Sequence, residues 1–192
     1  MLFKISALVI LAAFYSFYIA KLIIQKKQSI RTNQMGKGNN KPKKVVLIEK
    51  IMAAATCTVI AAEVISIFAV TAYDMTMLRI IGIILGISAV IIFAMATVTM
   101  KTSWRVGIPE EKTSLVTRGI YSISRNPAFV AFDMLYCSVC LMFFNIPLLI
   151  LSVFAAVMLH LQILQEEEFM HNTFGSEYDE YRKHTMRYLG RR

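Results

Sequence analysis

Three uninterrupted apolar runs, at about residues 2–24, 51–73 and 77–99, limit the folds open to this chain more than any other feature. Each has about the ~20 residues needed to cross the hydrocarbon core of a bilayer. Inside lipid a segment must satisfy its own backbone hydrogen bonds, which favours the helix. A fourth apolar block, 128–164, is too long for one crossing and is interrupted at Asn145-Ile146-Pro147. It reads as a helical hairpin of two short spans, about 128–144 and 147–164. Pro147 falls in the first turn of the second helix, where its missing N–H costs nothing. The expectation is an all-α, polytopic membrane protein with five transmembrane helices. Residues 1–99 hold three spans and a basic loop at 25–50, and residues 100–192 hold a loop, the hairpin and a tail. Composition agrees, with 57% apolar or aromatic residues against 17% charged, where soluble domains carry about 25% charged.

The net charge of +9 raises nucleic acid as a partner, but the positions of the charges argue otherwise. Segments 25–50, 100–127 and 160–192 hold 18 of the 21 Lys and Arg residues. In a five-span chain all three lie on one side. The positive-inside rule makes that side cytoplasmic, with the N-terminus outside and the C-terminus in the cytoplasm. The basic surplus then serves topology and contact with anionic membrane lipids, and no nucleic acid is expected. The 25–50 segment, with Gly36, Gly38, Asn39, Asn40 and Pro42, reads as a flexible loop at the membrane surface. The outer loops are minimal, about residues 74–76 and the turn at Asn145. Cys57, Cys137 and Cys140 all lie in apolar runs and read as small packing residues. Glu168-x-x-His171 resembles half of a di-iron carboxylate motif but has no second copy, so no metal is expected.

Chemistry is therefore sought in the two cytoplasmic stretches. Gly119 and Pro127 break helical periodicity in the first, which makes it a shaped loop with free backbone N–H and C=O groups. Asn126, preceding a proline, is expected to be extended. The second contains Glu166-Glu167-Glu168, three carboxylates that are costly in lipid and must face water, a cation or a polar cavity.

The run Leu115-Val116-x-x-Gly119-x-Tyr121-x-x-x-Arg125-Asn126-Pro127-x-Phe129 resembles the LV-x-x-G-x-Y-x-x-x-R-H-P-x-Y segment of the isoprenylcysteine carboxyl methyltransferase family. Glu166-Glu167-x-x-Met170-x-x-x-Phe174-Gly175-x-x-Tyr178-x-x-Tyr181 resembles that family's E-E-x-x-L-x-x-x-F-G-x-x-Y-x-x-Y segment. Phospholipid methyltransferases share a looser version. The resemblance spans about residues 100–188. It implies an integral membrane methyltransferase using S-adenosylmethionine, with a lipophilic small-molecule substrate entering from the bilayer. It further implies that Thr113, Ser114, Leu115 and Val116 hold the cofactor through their backbone. Tyr121, Asn126, Pro127, Ala128 and Phe129 would line the cofactor, and Glu166 would bind its polar end. Gln162 stands where the family has an arginine that grips a substrate carboxylate. Asn126 replaces the family's His, and Phe129 replaces its Tyr. Arg125 or Arg187 is the candidate replacement cation. Glu167 or His171 is the candidate base should the acceptor be an amine or a hydroxyl.

Methyl transfer from a sulfonium needs alignment more than a strong base, so the lack of a Ser/His/Asp set or a phosphate-binding loop is expected. Two other readings stay open. One is an NADPH-dependent sterol-type membrane reductase, whose chains carry a related segment. The other is a non-catalytic membrane protein or transporter built around Glu63 and Asp133. The compact chain suits a prokaryotic plasma membrane.

Overall fold

The computed structural model describes residues 1–37, 41–70, 75–109 and 113–191. Outside these fall Gly38, Asn39, Asn40, Lys112, Arg192, residues 71–73 of the second apolar run and Asp74 of the expected outer turn. Six helices follow in chain order: α1 (Leu2–Lys27), α2 (Lys43–Ala69), α3 (Thr76–Met100), α4 (Pro127–Met142), α5 (Ile146–Phe174) and α6 (Ser176–His184). Short 3-10 turns occupy Lys101–Ser103 and Gly119–Ser122. Among the described residues there is no strand, only isolated bridges at Asn33–Val106 and Thr185–Arg191.

Four helices (α1, α2, α3 and α5) are long and apolar enough to cross a membrane. The fifth expected span, α4, has 16 residues. At 1.5 Å per residue it is about 24 Å long, short of the ~30 Å core. Two boundaries also move. α2 begins at Lys43, well before the apolar run, and α5 continues to Phe174. The Glu166–Glu168 triplet therefore extends the last membrane helix instead of following it. The turn into α5 is capped by Asn145, whose side chain accepts from the Leu148 N–H at 3.0 Å and donates to Ser66 Oγ at 2.8 Å. The second bond ties the hairpin tip to the end of α2.

The bundle packs in two halves. α3 and α4 lie against each other through Gly82-x-x-x-Gly86, where small residues let two backbones approach. A Cβ on Gly82 would stand 2.7 Å from Met142 Cγ and 2.8 Å from the Ser138 carbonyl oxygen. Ser138 Oγ donates to the Gly82 carbonyl at 2.7 Å, a bond worth having where water is absent. α1 joins this half through Ile10 on Gly86 and through Phe14, which stacks on Phe93 at 4.4 Å. In the other half, Met52, Ala55 and Val59 of α2 pack against Ala155, Met158 and Leu159 of α5.

At one end of the bundle the three basic segments meet. Gln25 donates to the Trp104 carbonyl at 3.1 Å, the Val106 N–H to Thr32 at 3.0 Å, and the Gln34 N–H back to Val106 at 2.8 Å. The 25–50 segment thus differs from the loose surface loop expected of it. Gln25, Thr32, Gln34 and Glu49 are all buried. The residues that order it are amides and a carboxylate, which a composition-based reading counts as solvent-facing.

Gly82→Val overpacks the α3–α4 contact and should destabilise the protein by about 1–3 kcal/mol. Thermal melting in detergent should show this as a lowered Tm, while Val98→Leu on the exposed face of α3 leaves it unchanged.

Candidate functional site

Between the two halves, at the end where the basic segments meet, lies a cavity of about 460 Å³. That is within the ~300–1,000 Å³ typical of small-molecule sites. Eleven of the fifteen candidate site residues read from the sequence line it: Thr113, Leu115, Val116, Tyr121, Arg125, Asn126, Pro127, Ala128, Phe129, Glu166 and Glu167. Ser114, Gln162, Arg187 and His171 do not. Ser114 turns to Ser103, with the two hydroxyls 2.7 Å apart. Gln162 is fully buried behind the wall and donates to Glu166 Oε1 at 3.0 Å. Arg187 sits outside the wall, on Glu167.

The two motifs are joined by that carboxylate. Arg125 Nη2 lies 2.8 Å from Glu167 Oε1, and the Arg187 guanidinium donates to Oε2 at 2.9 and 3.1 Å. Asn126 Nδ2 adds a bond to Oε1 at 3.3 Å and another to the Arg187 carbonyl at 3.1 Å. The hydrogen bonds that the Arg187 guanidinium donates to Glu167 hold it above its usual range. With both oxygens occupied by cations, Glu167 is better placed to position Arg125 than to accept a proton. His171, the other candidate base, pairs with Asp179 at 3.0 Å on the exposed side of the helix and is not on the cavity wall.

The chain end straps over this junction. The Arg125 N–H donates to the Met186 carbonyl at 3.0 Å, the Gly190 N–H to Ile123 at 2.7 Å, and the Tyr181 hydroxyl to the Tyr121 carbonyl. Gly175, at φ +54°, ends α5 and turns the chain into α6 so that Tyr178 and Tyr181 face the cavity. Burial pushes the phenol of Tyr178 up to about 12 and also raises those of Tyr121 and Tyr181. All three are therefore neutral hydrogen-bonding groups near pH 7. Asn126 has φ −132° and ψ 50°, outside the helical region but short of the full extension expected before a proline.

Residues 113–117 take no regular structure. Their backbone N–H and C=O groups make no backbone hydrogen bond to another described residue. Beside them lie further polar groups without partners: the buried Nε of Arg105, the buried Nε of Arg125 and the Oε1 of Gln165. A concave surface carrying carboxylates, unspent backbone groups and phenols at one end suits a polar, zwitterionic ligand. The other end is apolar, walled by Tyr15, Tyr18, Met52, Ile60, Phe93 and Phe132.

Sequence reasoning missed that apolar wall. Its residues recur at helical spacing on α1 and α2 and look like ordinary core. Also missed were Arg105, which lines the cavity, and Glu49, which holds the backbone beside the lining residues Met35 and Gly107. Glu49 is fully buried and accepts from Gly36 N at 2.7 Å, Ile108 N at 2.8 Å and Lys41 Nζ at 2.9 Å. Gly107 makes this possible, since at φ +85° a Cβ would stand 2.8 Å from Glu49 Oε1. A lone Glu near the start of an apolar run gave no signal of this. Among the described residues no group of His, Cys, Asp and Glu could hold a metal ion.

Residues 76–177 match the model of the family described as phospholipid methyltransferase. The matched stretch runs from the start of α3 into α6 and contains both motifs and the hairpin. No curated protein matches the chain.

Glu49→Ala leaves Lys41 buried without its partner and should cost about 3–5 kcal/mol. Limited proteolysis should then cut between residues 31 and 37, where the wild type resists. Glu49→Gln, which keeps an acceptor, should fall between the two.

Proposed function

The chain belongs to the phospholipid methyltransferase family, and from that premise we propose that this membrane protein moves a methyl group from S-adenosylmethionine to a lipid-like acceptor inside the cavity described above. The observation that carries the proposal is that both family-like motifs face one cavity with a polar and an apolar end. S-adenosylmethionine supplies a methyl group already activated on a sulfonium, so the protein's task is to align the acceptor and exclude water.

Each end has a part in this. Glu166 pairs with the ammonium or the hydroxyls of the cofactor, and the free backbone of Thr113–Val116 takes its remaining polar groups. Tyr121 and Asn126–Phe129 form the wall against which the cofactor lies. Arg125 is held in the wall by Glu167, which Arg187 anchors from outside. The acceptor's chain occupies the apolar half. It enters between α1 and α2, which make little contact with each other although both face the cavity. The basic end faces the cytoplasm, with the N-terminus outside, and α4 makes a short fifth crossing with the bilayer thinned around it. In this arrangement residues 100–192 carry the catalytic motifs, while residues 1–99 supply most of the acceptor's surroundings.

Acceptor identity has two readings within this class. Phospholipid headgroup methylation follows the family. Carboxyl O-methylation of an isoprenylcysteine-like compound loses the gripping arginine at Gln162, whose amide is spent on Glu166. Arg105 suits both readings, since a phospholipid phosphate and a substrate carboxylate are both anions that a guanidinium pairs with. It lines the cavity and has no acidic partner among the described residues, so it can neutralise an acid group on the acceptor.

S-adenosylhomocysteine at a hundredfold excess over its Kd should stabilise the detergent-solubilised protein by about 2.7 kcal/mol, read as a raised Tm, and NADPH should not. Glu166→Ala should weaken that binding at least about tenfold. With methyl-labelled S-adenosylmethionine and a total membrane lipid extract, label should enter the organic phase for the wild type and fall at least about tenfold for the variant. No shift with S-adenosylhomocysteine in folded wild type overturns the proposal.

A further inference from the structure

The faces that line the apolar half of the cavity do not stop where the cavity narrows. On α2, Thr56 and Ile60 line it, and the next residue on that stripe is Glu63. On α4, Phe129 and Phe132 are followed on the same face by Tyr136. α1 runs the other way, so beyond Tyr18 its deepest lining residue is Tyr15. Glu63 and Tyr136 thus stand one helical turn beyond the lining residues, on the side where Tyr15 is the deepest residue of the wall. About 16 Å of helix separates Glu63 from Met52 near the open end.

The chemistry at that point is unlike its surroundings. Glu63 is fully buried, and neither of its carboxyl oxygens has a hydrogen-bond partner. The Tyr15 hydroxyl is buried without a partner as well. Tyr136 is 1% exposed, and its hydroxyl too is buried without a hydrogen-bond partner. Both phenols are near enough to Glu63 to feel its charge. No ion pair reaches Glu63, and the ion pairs among the described residues all lie toward the basic end of the bundle. A carboxyl held in lipid without a cation or a donor is costly, and a packing role would be filled better by leucine. Three helices nonetheless carry unpartnered polar atoms to one region, with Tyr15 in the apolar wall of the cavity and Glu63 and Tyr136 one turn beyond its lining residues Ile60 and Phe132.

We propose that Glu63 and Tyr15, with Tyr136 beside them, form a hydroxyl-binding subsite for an alcohol carried partway along the chain of the acceptor lipid. A hydroxyl matches the set because it donates to the carboxyl and accepts from the phenol at once. A plain hydrocarbon chain would leave both unsatisfied. The subsite sets which lipids are accepted, and its residues are remote from the transferred methyl. The inference rests on the cavity being the acceptor site, as proposed above.

Trp104, the sole tryptophan, lines the cavity and reports its occupancy by fluorescence. Octadecanoate and its derivatives hydroxylated at carbon 6, 9 or 12 are titrated into protein holding S-adenosylhomocysteine. Wild type should prefer one hydroxylated isomer over octadecanoate by about fivefold, the worth of one hydrogen bond. Glu63→Leu and Tyr15→Phe should bring the ratio of hydroxylated to plain acid affinity to about one, and Glu63→Gln should retain part of the preference. Equal binding of all four acids to wild type, or an unchanged preference in Glu63→Leu, overturns the subsite. Should Glu63→Leu not fold, Tyr15→Phe, which removes a single oxygen, decides in the same way. Failure of the methyl-transfer reading appears separately, as wild type that does not bind S-adenosylhomocysteine.

Discussion

The carboxylate of Glu167 sits between two guanidiniums, with Arg125 from the loop before the hairpin on one oxygen and Arg187 from the chain end on the other. The two arginines are far apart in sequence, on segments with little regular structure to hold them, while Glu167 stands on the long helix α5. A buried or half-buried ion cluster adds little net stability, because desolvation offsets most of the attraction. What it does well is penalise every other arrangement: removing one member leaves a charge with nowhere to go. The junction therefore fixes which loop faces which helix, and the cavity exists because that choice is made.

Glu49 plays the same part for the segments around Gly36 and Ile108. It accepts two backbone N–H groups and a lysine from segments that would otherwise expose unpaired polar groups beside the membrane. Between the two carboxylates the irregular chain at the basic end is organised with few backbone ladders. The rigid bundle below supplies the reference frame. Close α3–α4 packing and the α2–α5 contact hold two walls, and the loops are hung between them by side chains.

Much of this was legible in the sequence, and the reasons differ by element. Long apolar runs give membrane helices because lipid leaves the backbone no alternative, so α1, α3 and the start of α5 fall close to where hydropathy puts them. Helix ends outside lipid are set by local contacts, so α2 starts early, α5 runs on through its glutamates, and α4 is shorter than a full crossing. The cavity wall from Thr113 to Phe129 and at Glu166 was readable only through motif resemblance, since Asn126 and Tyr121 carry no signal by themselves. Gln162 occupies a position that the motif marks as substrate-facing, but its amide is engaged by Glu166 behind the wall. Spacing on a helix specifies a face; it does not specify which neighbour takes the side chain's last hydrogen bond. Tyr15, Tyr18 and Met52 were invisible as cavity residues because an apolar face turned to a ligand and one turned to a neighbouring helix follow the same period.

That last ambiguity also explains why the two functions of the bundle are compatible. A lipid-like acceptor is bound by the same forces that pack the helices, so α1 and α2 can leave a gap between them without creating a surface that water would penalise. In the proposed arrangement polar specificity is needed only at a few points, and titratable side chains stand there: Glu166, Arg105 and Arg125 in the wall, and Glu63 one turn beyond it. Alignment of an acceptor against a sulfonium methyl demands restraint at both ends of a long, flexible molecule. An apolar tube alone would let such a molecule slide along its axis. Polar contacts at the head and partway down the chain remove that freedom, which is the entropy that orientation must overcome.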